Sequence, residues 1–157
     1  MTTIKFRDWE LIVDKELTKK TYEKVKIGGV ESCPCNECKN FAHNRENIYP
    51  QEIKNLLTDL GIDYDKECEV WHYCKDELGR HCYSGWFHFK GKFIGENCSK
   101  QIDESTSTFE LTKITDTFSL GFHYNSSLSF FEDKENLVQI EFDVKTSWTI
   151  EKELESE

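Results

Sequence analysis

Residues 67–89, ECEVWHYCKDELGRHCYSGWFHF, decide the fold of this chain. Two runs rich in aromatic residues flank the polar turn sequence DELG at 76–79. Within each run, successive side chains of an extended backbone point to opposite sides, and the composition is typical of β-strands. The segment therefore predicts an antiparallel hairpin built from strands 67–75 and 80–89.

The register of this hairpin determines which side chains meet. With an even loop, Cys74 lies opposite His81. The same register places His72 opposite Tyr83, and Cys68, His72, Cys74 and His81 then share one face of the sheet. A β-bulge would instead pair Tyr73 with His81 and reverse the faces.

Further strands are indicated on both sides of the hairpin. Alternation predicts strands at 108–114, 118–124 and 137–144, the last reading LVQIEFDV from residue 137. Upstream, residues 9–13 alternate in the same way. Val25 and Ile27 favour another strand that ends at Gly28 and leads to Cys33.

Two helices are expected in the first half of the chain. In 50–60, apolar residues recur at helical spacing, Pro50 suits the helix start, and Gly61 suits a left-handed cap. A shorter helix is predicted at 37–45. The predicted fold is α+β: two short helices packed on a mainly antiparallel sheet of about six to seven strands. We expect one domain at 1–150 and a solvated acidic tail at 151–157.

The charge of the chain limits its partners. Thirty acidic and twenty basic residues give a net charge of −10. Nucleic acids and anionic membranes are bound through basic surfaces, and the sequence has no basic stripe, so neither partner is expected. A basic protein is a possible partner, although the charge also serves solubility alone. The sequence does not indicate an oligomeric state.

Cysteine usage suggests the compartment. The N-terminal sequence lacks the pattern of a signal peptide, and no apolar run approaches membrane-helix length, so we expect a cytoplasmic protein. Seven cysteines cannot all pair within one chain. Thiols in a reducing compartment are commonly metal ligands, catalytic groups or small buried residues.

Residues 33–38, CPCNEC, are the strongest candidate for a metal site. Zinc prefers thiolate and imidazole ligands, and the spacing lets Cys33, Cys35 and Cys38 reach one ion. The hairpin offers Cys74 and His81 as completing ligands, which would give a structural zinc site. Buried inert thiols and thiol redox chemistry remain alternatives.

Catalytic patterns are weaker. The sequence contains no nucleophile elbow, zinc-protease, phosphate-loop or dinucleotide motif. A Cys/His dyad of His81 with Cys74 or Cys82 remains open, as does a zinc site with an open position. The aromatic segment 83–93 is interpreted as core, with a partner surface as the alternative. The leading hypothesis is a non-enzymatic binding module stabilised by zinc, which in one version masks a cationic partner.

Overall fold

The computed structural model describes residues 1–156 and contains helices and strands in the following order. They are β1 (Thr2–Phe6), β2 (Trp9–Val13), α1 (Lys15–Lys24), α2 (Gly29–Ser32), α3 (Asn36–Ile48), α4 (Gln51–Asp59), β3 (Glu69–Lys75), β4 (His81–Ile94), β5 (Ser99–Gln101), β6 (Ser107–Phe109), β7 (Thr112–Thr115), β8 (Phe118–Tyr124) and β9 (Leu137–Thr146). A 3-10 helix at Lys152–Leu154 follows β9. The predicted α+β class, with helices in the first half, is confirmed.

Seven strands form one antiparallel sheet in the order β1-β2-β4-β9-β8-β7, which β3 joins by pairing with β4. On one edge of β4, residues 81–86 pair with β3 and residues 91–94 pair with β2. On the opposite edge, β9 pairs with residues 81–90. β4 is therefore the strand that connects the two halves of the sheet.

Helix α1 fills the gap between β3 and β2 along the edge of β4. The Tyr22 hydroxyl accepts a hydrogen bond from the His88 N–H at 3.0 Å and donates one to the His88 carbonyl at 2.8 Å. Thr18 Oγ1 accepts from the Lys90 N–H at 3.1 Å. Because both helical side chains are buried, they satisfy backbone groups that would otherwise lack partners.

The strand predicted around Val25 and Ile27 is wrong. The Asp14 side chain accepts a hydrogen bond from the Leu17 N–H at 3.1 Å and caps α1, which extends to Lys24. Ile27 is exposed beyond the helix. Val25 and Ile27 do alternate with polar residues, as they would in a strand. The edge of β4 at this point is instead hydrogen-bonded by the Tyr22 and Thr18 hydroxyl groups of α1.

The predicted hairpin leading to Cys33 is replaced by the short helix α2. The Gly29 N–H donates to the Glu67 carbonyl at 2.8 Å, which ties α2 to the chain just before β3. A Cβ atom on Gly28 would lie 2.7 Å from Lys66 Cα, so the close approach requires glycine. The glycines thus serve packing rather than a turn between strands.

Helices α3 and α4 cover one face of the sheet. On α3, Phe41 packs its ring 5.2 Å from that of Tyr83 on β4 and 6.4 Å from that of Phe142 on β9. From α4, the side chains of Ile53, Leu56 and Leu57 are buried. Pro50 is the N-cap of α4, and Gly61 has a φ of +87°, as the predicted left-handed cap requires.

The other face of the sheet carries a buried polar network. His88 Nε2 lies 2.9 Å from Gln139 Oε1, and His123 Nε2 lies 3.0 Å from Glu141 Oε1. Gln139 Nε2 donates to the same Glu141 oxygen. Burial lowers the pKa of His88 to about 4, so this imidazole is neutral at pH 7.

The last strands differ slightly from expectation, and the tail contacts the domain. The strand predicted at 108–114 is divided between β6 and β7. Residues 151–156 return to the sheet: Glu155 contacts His81, and the Ser156 hydroxyl donates to Glu37 Oε1 at 2.9 Å. The domain boundary at residue 150 stays a prediction, and Glu157 lies outside the described residues.

Candidate metal centre

Cys33, Cys35 and Cys38 come together where α2 ends and α3 begins. Their sulfur atoms lie within 4.8 Å of one another, and the Sγ atoms of Cys33 and Cys35 are 3.1 Å apart. Two sulfurs bound to a tetrahedral zinc ion at about 2.3 Å lie about 3.8 Å apart. Because the 3.1 Å separation and the 4.8 Å upper limit lie on either side of this value, the cluster could hold a metal such as zinc.

The start of α3 explains why the sulfurs converge. Cys35 is the N-cap residue with extended backbone angles, and its Sγ accepts a hydrogen bond from the Cys38 N–H at 3.4 Å. A sulfur therefore takes the place of the Ser or Asp oxygen that commonly caps a helix. The helix start thus holds the Cys35 sulfur next to Cys38, the third member of the cluster.

The three thiols differ in acidity and exposure. The backbone N–H of Cys35, followed by the thiols of Cys35 and Cys38, lowers the pKa of Cys33. Burial, followed by hydrogen bonds with the neighbouring thiols, raises the pKa of Cys38. Cys38 is buried, Cys33 is half-buried and Cys35 is exposed. A bound ion would therefore be shielded on the Cys38 side and accessible on the Cys35 side.

Cys74 lies away from this cluster. A bulge between His72 and Cys74 shifts the register, so that Cys74 lies opposite Cys82. The predicted pairing of Cys74 with His81 is wrong, whereas the pairing of His72 with Tyr83 is confirmed. Because the bulge adds one residue to β3, it turns Cys74 to the face opposite that of His72.

His81 is buried at the first position of β4, where its ring has other partners. Its Nδ1 lies 2.9 Å from His72 Nε2, and its Nε2 lies 2.6 Å from Glu155 Oε2. Of the predicted metal ligands, the structure brings Cys33, Cys35 and Cys38 together. Within residues 1–156, that close group includes neither His81 nor Cys74.

A buried ion-pair network holds α3 against the start of β3. Arg45 donates from Nη2 and Nε to Glu67 at 2.7 and 3.0 Å, and from Nη1 to Glu31 at 2.7 Å. The Tyr49 hydroxyl donates to Glu67 Oε2 at 2.7 Å. Burial alone would lower the pKa of Arg45, but these carboxylates raise it. The network fixes the helix that carries Cys38.

Sequence reasoning missed this network and the contact of Glu155 with His81. Arg45 and Glu67 are 22 positions apart, and their spacing fits no helix or strand period. The one available signal is Arg45 itself, which lies on the predicted inward-facing side of its helix. Because a buried arginine normally has a carboxylate partner, its position could have suggested one.

The aromatic segment 83–93 contributes mainly to the core. Tyr83, Phe87 and Phe89 are buried, as the core interpretation predicted. On the neighbouring strand β3, Trp71 is 54% and Tyr73 is 40% exposed. The Tyr73 hydroxyl donates to Asp143 at 2.7 Å.

Comparison with known proteins gives no guide to function. The chain matches no family model, no curated protein and no solved structure. Among the helices of residues 1–156, none is both long and apolar enough to cross a membrane.

Proposed function

We propose that this chain is a non-enzymatic binding module that a zinc ion stabilises through Cys33, Cys35 and Cys38. The observation that carries this proposal is the convergence of three sulfurs at the junction of α2 and α3. Thiolate ligands select zinc among the metals without redox chemistry. The bound ion would join the end of α2 to the start of α3.

A structural role follows from where the ligands lie. α2 has four residues and cannot be stable alone, so its position depends on neighbours. Zinc binding to small cysteine sites contributes on the order of 10 kcal/mol, which couples metal binding to folding. In this proposal the ion fixes α2 against the start of α3 and does not react with a substrate.

The proposed partner is a basic protein. The net charge of −10 would attract a cationic surface and raise the rate of encounter. Salt should weaken such a complex, because exposed charges are screened over about 8 Å at physiological ionic strength.

An enzymatic zinc site is the second candidate, and one observation favours it. Three sulfur ligands leave one position of a tetrahedron, and Cys35 is exposed. Catalytic zinc sites commonly have three protein ligands and a water molecule. The alternative Cys/His dyad lacks this support, since Cys74 lies opposite Cys82 and not His81.

Metal content tests the proposal. Protein purified without added zinc should contain about one equivalent by elemental analysis, and Cys38→Ser should lose it. Cys74→Ser is the matched control, because this exposed thiol lies outside the cluster, and it should keep the ion. Less than about 0.2 equivalents in the wild type, in a fully folded protein, would overturn the metal assignment.

Two further measurements separate the roles. X-ray absorption at the zinc edge counts the sulfur ligands and detects a bound water, which would favour catalysis. Affinity capture at low and high salt tests the partner. Recovery of acidic or neutral partners alone would contradict charge masking.

A further inference from the structure

Two imidazoles meet at the edge of the sheet, outside the cysteine cluster. His72 on β3 and His81 on β4 project from the same face, with His72 Nε2 2.9 Å from His81 Nδ1. His81 is fully buried, and His72 is half-buried. Their separation is set by the β3–β4 pairing, which places His72 opposite Tyr83, two positions from His81.

Glu155 fixes the tautomer of His81. His81 Nε2 lies 2.6 Å from Glu155 Oε2, a separation at which the carboxylate accepts a hydrogen bond from the ring N–H. An ionised carboxylate only accepts hydrogen bonds, so His81 Nε2 carries the proton. In the neutral ring, Nδ1 is then the unprotonated nitrogen, and it lies 2.9 Å from His72 Nε2.

We propose that His72 Nε2 and His81 Nδ1 chelate a divalent transition metal at a second site, with water completing its coordination. When the ion binds, His72 releases its Nε2 proton to water and takes up a proton on Nδ1, so the ring stays neutral and its Nε2 lone pair binds the ion. Glu155 then acts behind His81 as the hydrogen-bonded carboxylate that commonly orients a metal-binding histidine.

The nitrogen separation favours particular metals. Ligands at about 2.05 Å and 90° to each other are about 2.9 Å apart, whereas tetrahedral ligands are about 3.3 Å apart. The observed 2.9 Å matches the right-angle arrangement of square-planar or octahedral ions. Ni²⁺ or Cu²⁺ therefore fits better than tetrahedral zinc.

The surroundings suit a cation. The Glu155 carboxylate, with Oε2 2.6 Å from His81 Nε2, places a negative group directly beside the imidazole pair. Lys75 lies 3.7 Å from Glu155 and offsets part of the negative charge. The ring of Trp148 packs 5.0 Å from that of His81 and shields one side of the pair.

This site is distinct from the cysteine cluster. Tyr83 stands between them: its hydroxyl donates to the Glu37 carbonyl at 2.7 Å, and its ring packs 5.2 Å from that of His72. Metal binding to the histidines therefore does not require the sulfurs, and the two sites can be measured separately.

The test uses the full chain with Cys33, Cys35 and Cys38 all replaced by serine, so that the cysteine cluster cannot bind the added ion. Calorimetric titration with Ni²⁺ should show about one equivalent bound. Adding His72→Ala should weaken binding at least tenfold, and adding Glu155→Gln should weaken it about 10- to 100-fold. His43→Ala is the matched control: His43 is exposed on α3 and should leave Ni²⁺ binding unchanged.

A second readout does not depend on the serine variant folding. In NMR spectra of the zinc-saturated wild type, paramagnetic Ni²⁺ should broaden the ring signals of His72 and His81 before those of His43. Unchanged Ni²⁺ affinity after His72→Ala would overturn the proposal, and so would broadening that begins at His43. Neither outcome bears on zinc binding by the cysteines.

Discussion

Replacing Arg45 by alanine should destabilise the protein more than removing any surface charge. Glu67, its main partner, is fully buried and receives two of the Arg45 hydrogen bonds. Burial raises the pKa of Glu67, and the nearby guanidinium opposes this effect. Without Arg45 the carboxylate must either remain charged in the core or take up a proton.

The expected loss can be worked from this geometry. Breaking a buried ion pair by removing one partner costs about 3–5 kcal/mol, because the other charge is left uncompensated. In a domain of this size, about 1 kcal/mol corresponds to roughly 2–4 °C in melting temperature, so a shift of about 6–20 °C is expected. The Tyr49 hydroxyl still donates to Glu67, which favours the lower end of the range.

A double-mutant cycle measured by urea denaturation tests this reasoning. Arg45→Ala, Glu67→Ala and the double variant should show a coupling energy of about 1–3 kcal/mol, because the double variant leaves no unpaired charge. Arg7→Ala is the matched control, since Arg7 pairs with Glu52 on the surface and its loss should be barely measurable. Equal destabilisation by Arg45→Ala and Arg7→Ala would refute the buried-network argument.

Three further predictions concern the sheet. Between pH 6.5 and 4 the folded protein binds fewer protons at His88, whose pKa is about 4, than the unfolded chain, so stability falls as the pH falls. His88→Gln should reduce this loss by about 3 kcal/mol, and identical urea-derived stability profiles in both proteins would contradict it. Tyr22→Phe should cost about 1–3 kcal/mol in thermal unfolding, because two buried backbone groups lose their partner; a neutral effect would argue against the bridging role. Gly91→Ala should be strongly destabilising, since its Cβ would lie 1.9 Å from the Ile12 carbonyl oxygen, whereas Gly79→Ala meets open space and should cost about 1 kcal/mol. Comparable melting temperatures for the two glycine variants would refute the steric argument.

Sequence patterns predicted those helices and strands whose signal lies within the element itself. The alternation of apolar and polar residues at 137–144 predicts a strand with one face packed against α3. In the structure this strand extends to Thr146. The helix α4 is predicted in the same way, from the spacing of its apolar residues together with Pro50 and Gly61. Its predicted start differs from the observed start by one residue. In both cases the residues that carry the signal are neighbours in the element itself.

Contacts between distant segments were not predictable in the same way. The sequence Thr21–Ile27 alternates as a strand would, but Tyr22 is recruited to the unpaired edge of β4, which no local pattern reveals. The cysteine cluster was predictable, because Cys35 and Cys38 lie within one helical turn. The position of Cys74 was not predictable, because a single bulge in β3 determines on which face of the sheet its side chain lies.

The pairing of β4 has a consequence for synthesis on the ribosome. β2 pairs only with β1 and with the last residues of β4, and β4 in turn needs β9 on its other edge. At about 5–20 residues per second, the N-terminal hairpin emerges on the order of ten seconds before β9. Until Thr146 has emerged, one edge of β4 lacks its partner strand, so the sheet can close only after nearly the whole chain has been synthesised.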